Sequence, residues 1–316
     1  MKKKLGFIAL LAFILVSCMQ PYKGLKRMNF QELSYPYPVK YVNLDSGIRL
    51  AHTDIGTGPA IVMIHGLGSY LPAWQKNIET LRQRARCIAV DLPGYGKSSK
   101  GDYPFSMEFY ADVIHEMLQK LGIKEAVIAG HSMGGQIAMV MALKYPEAVK
   151  GLVLVDPAGF EAFSAGEKQW FREVMTVDLV KNTPVQQIRA NVVANFYNMP
   201  SDAEFMITDR IALREDPDFE WYCYAVSRSV AGMVDQPVID RLNDIRQPTL
   251  ILFGENDNLI PNPYLHGGKT ADIAEIGHKK IPNSRLVIIP ECGHFAQFEK
   301  PEIVNEAISK FLAEIQ

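Results

Sequence analysis

Residues 126–135 read AVIAGHSMGG. Ala126–Ala129 is an apolar run of the length and kind that suits a strand buried on both faces. Gly130-His131-Ser132-Met133-Gly134 then forms a G-x-S-x-G pentapeptide. Ser132–Tyr145 continues as a helix with Ile137, Ala138, Met141 and Ala142 on one side, and it stops before Pro146. Strand, sharp turn and helix is the setting in which this motif presents a serine hydroxyl at the carboxyl edge of a sheet. The flanking positions must be small, and Gly130, Gly134 and Gly135 meet that need. The helix start lies beneath the hydroxyl, where its amides favour developing negative charge. Ser132 is therefore the candidate nucleophile.

Working outward, Val39–Leu44 and Ile48–Thr53 flank Asp45-Ser46-Gly47 and read as a hairpin. Ala60–Ile64, Cys87–Val90, Leu152–Val155, Thr249–Phe253 and Leu286–Ile289 are further buried-strand runs. Met107–Leu121 is amphipathic, with Gly122 as its C′ residue. Ile303–Ile315 is a final helix, expected to turn Ile303, Ala307, Ile308, Phe311 and Leu312 inward. Strands alternating with helices imply a parallel sheet with right-handed crossovers. The alternation breaks from Pro157 to about Asp244, where aromatics and methionines abound, and a helical insertion is expected there.

A serine nucleophile needs a base, and the base needs an orienting acid. His294, in Glu291-Cys292-Gly293-His294-Phe295, sits just past the run Leu286–Ile289. Asp257 sits just past Thr249–Phe253. Loops at the carboxyl ends of parallel strands gather at one sheet edge, so Ser132, Asp257 and His294 can meet there. Glu255 and Asp156 are the alternative acids. His131 adjoins the serine, but neighbours on a sharp elbow point apart, so a structural role is expected. His52, His115, His266 and His278 lack strand-end context and read as surface or packing residues. The oxyanion needs two backbone donors. Met133, after the nucleophile, is one. Leu67, in the His65-Gly66-Leu67-Gly68 loop after Ala60–Ile64, is the other, with His65 holding that loop.

The N-terminus has a separate logic. Lys2-Lys3-Lys4 precede the apolar run Leu5–Val16, which is too short for an ordinary transmembrane helix but suits a signal peptide. Leu15-Val16-Ser17-Cys18 resembles a bacterial lipobox. This reading makes 1–17 a signal peptide, Cys18 a lipidated residue anchoring the chain in a membrane of the cell envelope, and 18–38 a tether. Met19 rather than Asp follows the cysteine, so no inner-membrane retention signal is present and the outer membrane is the expected location. Cys87, Cys223 and Cys292 remain, an odd number, with Cys87 read as a buried apolar residue. No disulfide framework or metal site is expected, since CxxC and HExxH spacings are absent. With 33 basic and 35 acidic residues and no basic stripe, a nucleic-acid partner is not expected.

Taken together, His65–Gly68, Asp91–Ser98, Gly130–Gly135, Gly254–Asp257 and Gly293–Phe295 resemble the α/β-hydrolase superfamily across nearly all of residues 39–316. The resemblance implies a mostly parallel eight-stranded sheet flanked by helices, with a helical cap after the sixth strand. The core would be 39–156 and 245–316, and the cap 157–244. Haloalkane dehalogenases and epoxide hydrolases of this fold use Asp at the position of Ser132, which disfavours both. Ser132–Gln136 with Asp156–Gly159 is similar to membrane-associated monoacylglycerol lipases and related esterases. The implied activity is hydrolysis of a small-molecule or lipid carboxylic ester through an acyl-enzyme, without cofactor. A carbon–carbon bond hydrolase acting on a vinylogous diketone is the alternative. It usually has basic residues for a substrate carboxylate, and Arg172, Arg189, Arg210 and Arg228 are the candidates. A binding protein that had lost catalysis would tend to lack triad members. The stretch Pro261–Pro282 is longer than usual for the family and is expected to line the mouth.

Overall fold

The computed structural model describes residues 22–315. The signal-peptide and lipidation readings, including Cys18, lie outside them. Eight strands form one sheet: β1 Lys40–Asn43, β2 Arg49–His52, β3 Ala60–Ile64, β4 Arg86–Val90, β5 Ala126–His131, β6 Val149–Val155, β7 Thr249–Gly254 and β8 Ser284–Ile289. Their order is β1-β2-β4-β3-β5-β6-β7-β8. The β1–β2 and β2–β4 pairs are antiparallel and the rest are parallel. The central strands are Val-, Ile- and Leu-rich and buried along almost their whole length, because helices cover both faces.

One face carries α2 Met107–Lys120, α3 Met133–Lys144 and α9 Thr270–Lys280. The other carries α1 Gln75–Leu81, α10 Ala296–Glu299 and α11 Pro301–Glu314. Between β6 and β7 the chain forms five helices, α4 Ala165–Val174, α5 Val177–Asn182, α6 Val185–Val193, α7 Phe205–Ala212 and α8 Phe219–Asp235. They lie over the carboxyl ends of the strands. Among the described residues no helix is long and apolar enough to cross a membrane.

Two expectations change. Residues 28–37 are not a free tether. Asn29 caps a short 3-10 helix at Phe30–Glu32, Phe30 and Leu33 are buried, and Tyr35 Oη donates to Asp91 Oδ2 at 2.5 Å. Polar composition and Pro36 hide these anchors, because each apolar residue buries alone rather than in a periodic run. In α11, Ile303 is exposed. Val304, Ile308, Phe311 and Leu312 form the inward face, at the helical spacing i, i+4, i+7, i+8. Cys87, Cys223 and Cys292 are free and buried.

Candidate active site

β5 ends at His131 and α3 begins at Met133, so the chain turns at Ser132. Ser132 has φ 54° and ψ −119°, a left-handed conformation that strains any residue with a Cβ. Backbone bonds impose it. Ser132 N–H donates to Val155 O (3.0 Å), and Ser132 O accepts from Gly135 and Ala158 N–H (2.9 and 3.0 Å). The neighbouring glycines serve close approach. A Cβ on Gly130 would lie 2.1 Å from Gly134 O, and one on Gly134 would lie 2.3 Å from Ile64 O.

His294 follows β8 and is buried. Its Nδ1 donates to Asp257 Oδ2 at 2.7 Å, while Asp257 Oδ1 accepts from Leu259 and Ile260 N–H (2.7 and 3.2 Å). His294 Nε2 makes no hydrogen bond among the described residues, and His294 and Ser132 line the same cavity. Of the alternative acids, Glu255 is exposed, and His294 Nδ1 bonds to Asp257 instead. Asp156 is fully buried, and its carboxylate pins the backbone instead, accepting from Gly254 N–H (2.7 Å) and Ala296 N–H (3.4 Å). Burial, then the nearby Asp257 carboxylate, push its pKa well above the usual range. Asp156, Asp257 and His294 place ligating atoms within 4.8 Å of one another. Those atoms already bond each other or the backbone, so they are poorly placed to hold a cation.

Leu67 follows the end of β3, and Met133 is the first residue of α3. Neither N–H has a protein acceptor among the described residues, and Leu67 borders the cavity. A Cβ added to Gly66 would touch Ser132 Cβ at 3.0 Å, so the loop lies directly against the serine. His65 holds this loop, with Nδ1 donating to Gly66 O (2.8 Å) and Nε2 accepting from Leu92 N–H (3.1 Å). Burial lowers its pKa to about 4, which keeps the neutral tautomer these bonds require. His131 donates Nε2–H to His294 O (2.8 Å), steadying the loop that carries the histidine.

The shared cavity measures about 370 Å³, within the range of about 300–1,000 Å³ common to small-molecule sites. Phe163, Phe171, Met175, Val230, Met233 and Ile260 give it apolar walls. Among the described residues its only acid is Glu161, and no Lys or Arg lines it. A smaller cavity adjoins it across Leu67, Asn195 and Phe295, and Arg210 lies there. Gln136, a lone amide within an apolar helix, donates to Met233 O and Gln236 O (both 2.9 Å) and ties the core to the cap. Its isolation in α3 was the available signal for that role.

Of the stretch 261–282, Asn262, Pro263 and Tyr264 line the cavity, whereas Thr270–Lys280 forms α9 on the sheet. His266 is more than a packing residue. Its Nδ1 lies 2.5 Å from Glu161 Oε1, its Nε2 lies 3.0 Å from Glu167 Oε1 on α4, and its ring stacks on Phe163. The hydrogen bond to Glu161 leads the effects that raise its pKa above 6.5. A raised histidine pKa gives a latch that is complete below 6.5 and is lost as pH rises through the folded-state value. Amide exchange in 261–269, corrected for intrinsic rate, is expected to quicken as pH rises above 6.5, and His266→Gln to remove that dependence. A flat wild-type profile would refute the latch.

The family model described as alpha/beta hydrolase fold matches residues 59–301. The chain belongs to the α/β-hydrolase fold family. It is a hydrolase of that fold, with the expected mostly parallel eight-stranded sheet. This α/β-hydrolase is 27% identical over 291 residues to a 2-hydroxy-6-oxononadienedioate/2-hydroxy-6-oxononatrienedioate hydrolase of Paraburkholderia phymatum, covering 87% of this chain and 96% of that protein. It is 27% identical over 261 residues to the uncharacterized hydrolase YugF of Bacillus subtilis, covering 80% and 89%. Among solved structures it is similar to a thermophilic esterase from Thermogutta terrifontis, with TM-score 0.70, 27% identity and coverage of 88% and 99%.

Proposed function

We propose that this α/β-hydrolase cleaves carboxylic esters with an apolar acyl group through an acyl-enzyme on Ser132. The observation that carries the reading is the cavity itself. It is apolar, it is bordered by Ser132 and His294, and among the described residues no Lys or Arg lines it to hold a substrate carboxylate. His294 Nε2 takes the Ser132 proton as Oγ bonds to the ester carbonyl carbon. Asp257 holds the imidazole in the required tautomer and stabilises the imidazolium. Met133 and Leu67 N–H stabilise the oxyanion, each worth about 2.7–4 kcal/mol of barrier. The alkoxide leaves with the proton from His294, and water repeats the cycle to release the acid.

A specific observation favours the second reading. Of the four candidate arginines, Arg210 reaches a cavity beside Leu67, where it donates to Tyr222 Oη (2.9 Å) and has no ion pair among the described residues. A carbon–carbon hydrolase would seat a substrate carboxylate there. Parallel assays separate the two. Turnover of an ester series, extended to monoacylglycerols, is expected with little turnover of vinylogous diketone carboxylates; the reverse pattern would replace the ester reading.

The order Lys2–Lys4, apolar run, Cys18 supports lipidation and an envelope location. Metabolic labelling with a palmitate analogue is expected to mark the wild-type chain and to miss Cys18→Ala. Equal labelling of both would remove Cys18 as the anchor.

A further inference from the structure

The N-terminal end of the described chain lies on the cap. Tyr22 Oη donates to Glu204 Oε1 (2.8 Å), Arg27 pairs with Glu215 (3.6 Å), and Met28 N–H donates to Ala212 O (3.1 Å). Three residues lie between Cys18 and Tyr22, so the four steps of chain reach at most about 14 Å. An acyl group on Cys18 would therefore hold a bilayer surface close to this side of the cap and not to the opposite end of the sheet.

The same side has the composition of a membrane-facing surface. Leu25 is 38% exposed, and α5, whose Lys181 and Asn182 border the hollow beside Leu25, carries Leu179, 52% exposed, with the exposed Asp178 next to it in the chain. A hollow beside Tyr22 and Leu25 is bordered by Arg27, Lys181 and Arg214 against one acid, Glu215. Lys181 also pairs with Glu220 (2.7 Å) at the patch edge. Lys23 and Lys26 are exposed and make no ion pair among the described residues. Basic residues around exposed leucines are what an anionic headgroup layer attracts. The patch also adjoins the cavity beside Leu67. Asn182 and Ile211 border the hollow, and their chain neighbours Thr183 and Arg210 line the cavity beside Leu67.

We propose that this face of the cap, residues 22–27 with Leu179 on α5, docks onto an anionic bilayer and receives lipid substrates through the cavity beside Leu67. The proposal rests on the reading of Cys18 as acylated and of the protein as an ester hydrolase.

The test uses the acylated full chain on vesicles of phosphatidylethanolamine and phosphatidylglycerol, three to one. Nitroxide labels are placed at Leu179→Cys and, as a control, at Lys310→Cys near the far end of α11; Cys87, Cys223 and Cys292 are buried. The label at 179 is expected to be shielded from an aqueous nickel chelate and open to oxygen, and the label at 310 to stay in water. Leu179→Ser is expected to slow hydrolysis of a vesicle-embedded ester about fivefold with turnover of a soluble short ester unchanged. Equal water exposure of both labels on vesicle-bound protein would overturn the docking face and leave acylation standing. Protein that carries no acyl group and stays off the vesicles would overturn acylation and the docking face together. Loss of soluble-ester turnover in the unmodified protein would strike the ester reading instead.

Discussion

Ser132→Ala is expected to lower kcat on model esters by on the order of 10⁶-fold, with the fold and thermal midpoint nearly unchanged. Ala keeps the Cβ, so the strained φ of 54° persists and the packing around the elbow is the same. Only the hydroxyl is lost, and with it the covalent route; the Leu67 and Met133 amides and the apolar cavity remain and account for residual turnover. Ser132→Gly is a useful companion. It also removes the hydroxyl, but it relieves backbone strain of about 1–3 kcal/mol, offset by roughly 0.5–1 kcal/mol from the greater freedom of an unfolded glycine. The glycine variant should therefore be inactive and at least as stable as wild type. Kinetics with calorimetry on both variants check this, and residual activity near wild type in either would remove Ser132 as nucleophile.

Asp257→Asn is expected to cost about 10⁴-fold in kcat, whereas Asp156→Asn should stay within about tenfold of wild type, a barrier change of about 1.4 kcal/mol. The contrast follows from what each carboxylate touches. Asp257 Oδ2 receives His294 Nδ1–H, and an amide nitrogen turned to that position would force the opposite tautomer and leave Nε2 unable to take the serine proton. Asp156 has no bond to His294. Its shorter contact is to Gly254 N–H, which an amide oxygen accepts equally well. Its raised pKa also means that a neutral side chain costs little there. Circular dichroism must show both variants folded. A large loss in Asp156→Asn with a small one in Asp257→Asn would exchange their roles.

Much of this arrangement was legible before folding, for identifiable reasons. Strands covered by helices are continuous apolar runs, and the runs at β3 to β8 match the observed strands to within three residues. The nucleophile elbow is local, since the glycines beside Ser132 answer contacts made within a few residues and to the adjacent β3. The candidate acid and base follow strand ends, and parallel topology sends the carboxyl ends of β3 to β8 to one edge.

What the sequence by itself determined is therefore the sheet, the elbow and the short set of residues able to meet at its edge. Tertiary structure decided the rest. It separated Asp257 from Asp156 and Glu255, because that choice depends on which carboxylate reaches His294 Nδ1, and all three share the same strand-end context. It made residues 28–37 part of the fold through isolated anchors that have no period. It joined His266 to Glu161 and Glu167 across about 100 positions of chain. It also divided the space around Ser132 into an apolar cavity and a smaller one containing Arg210. Such contacts depend on where separate helices come to rest, which local patterning does not encode.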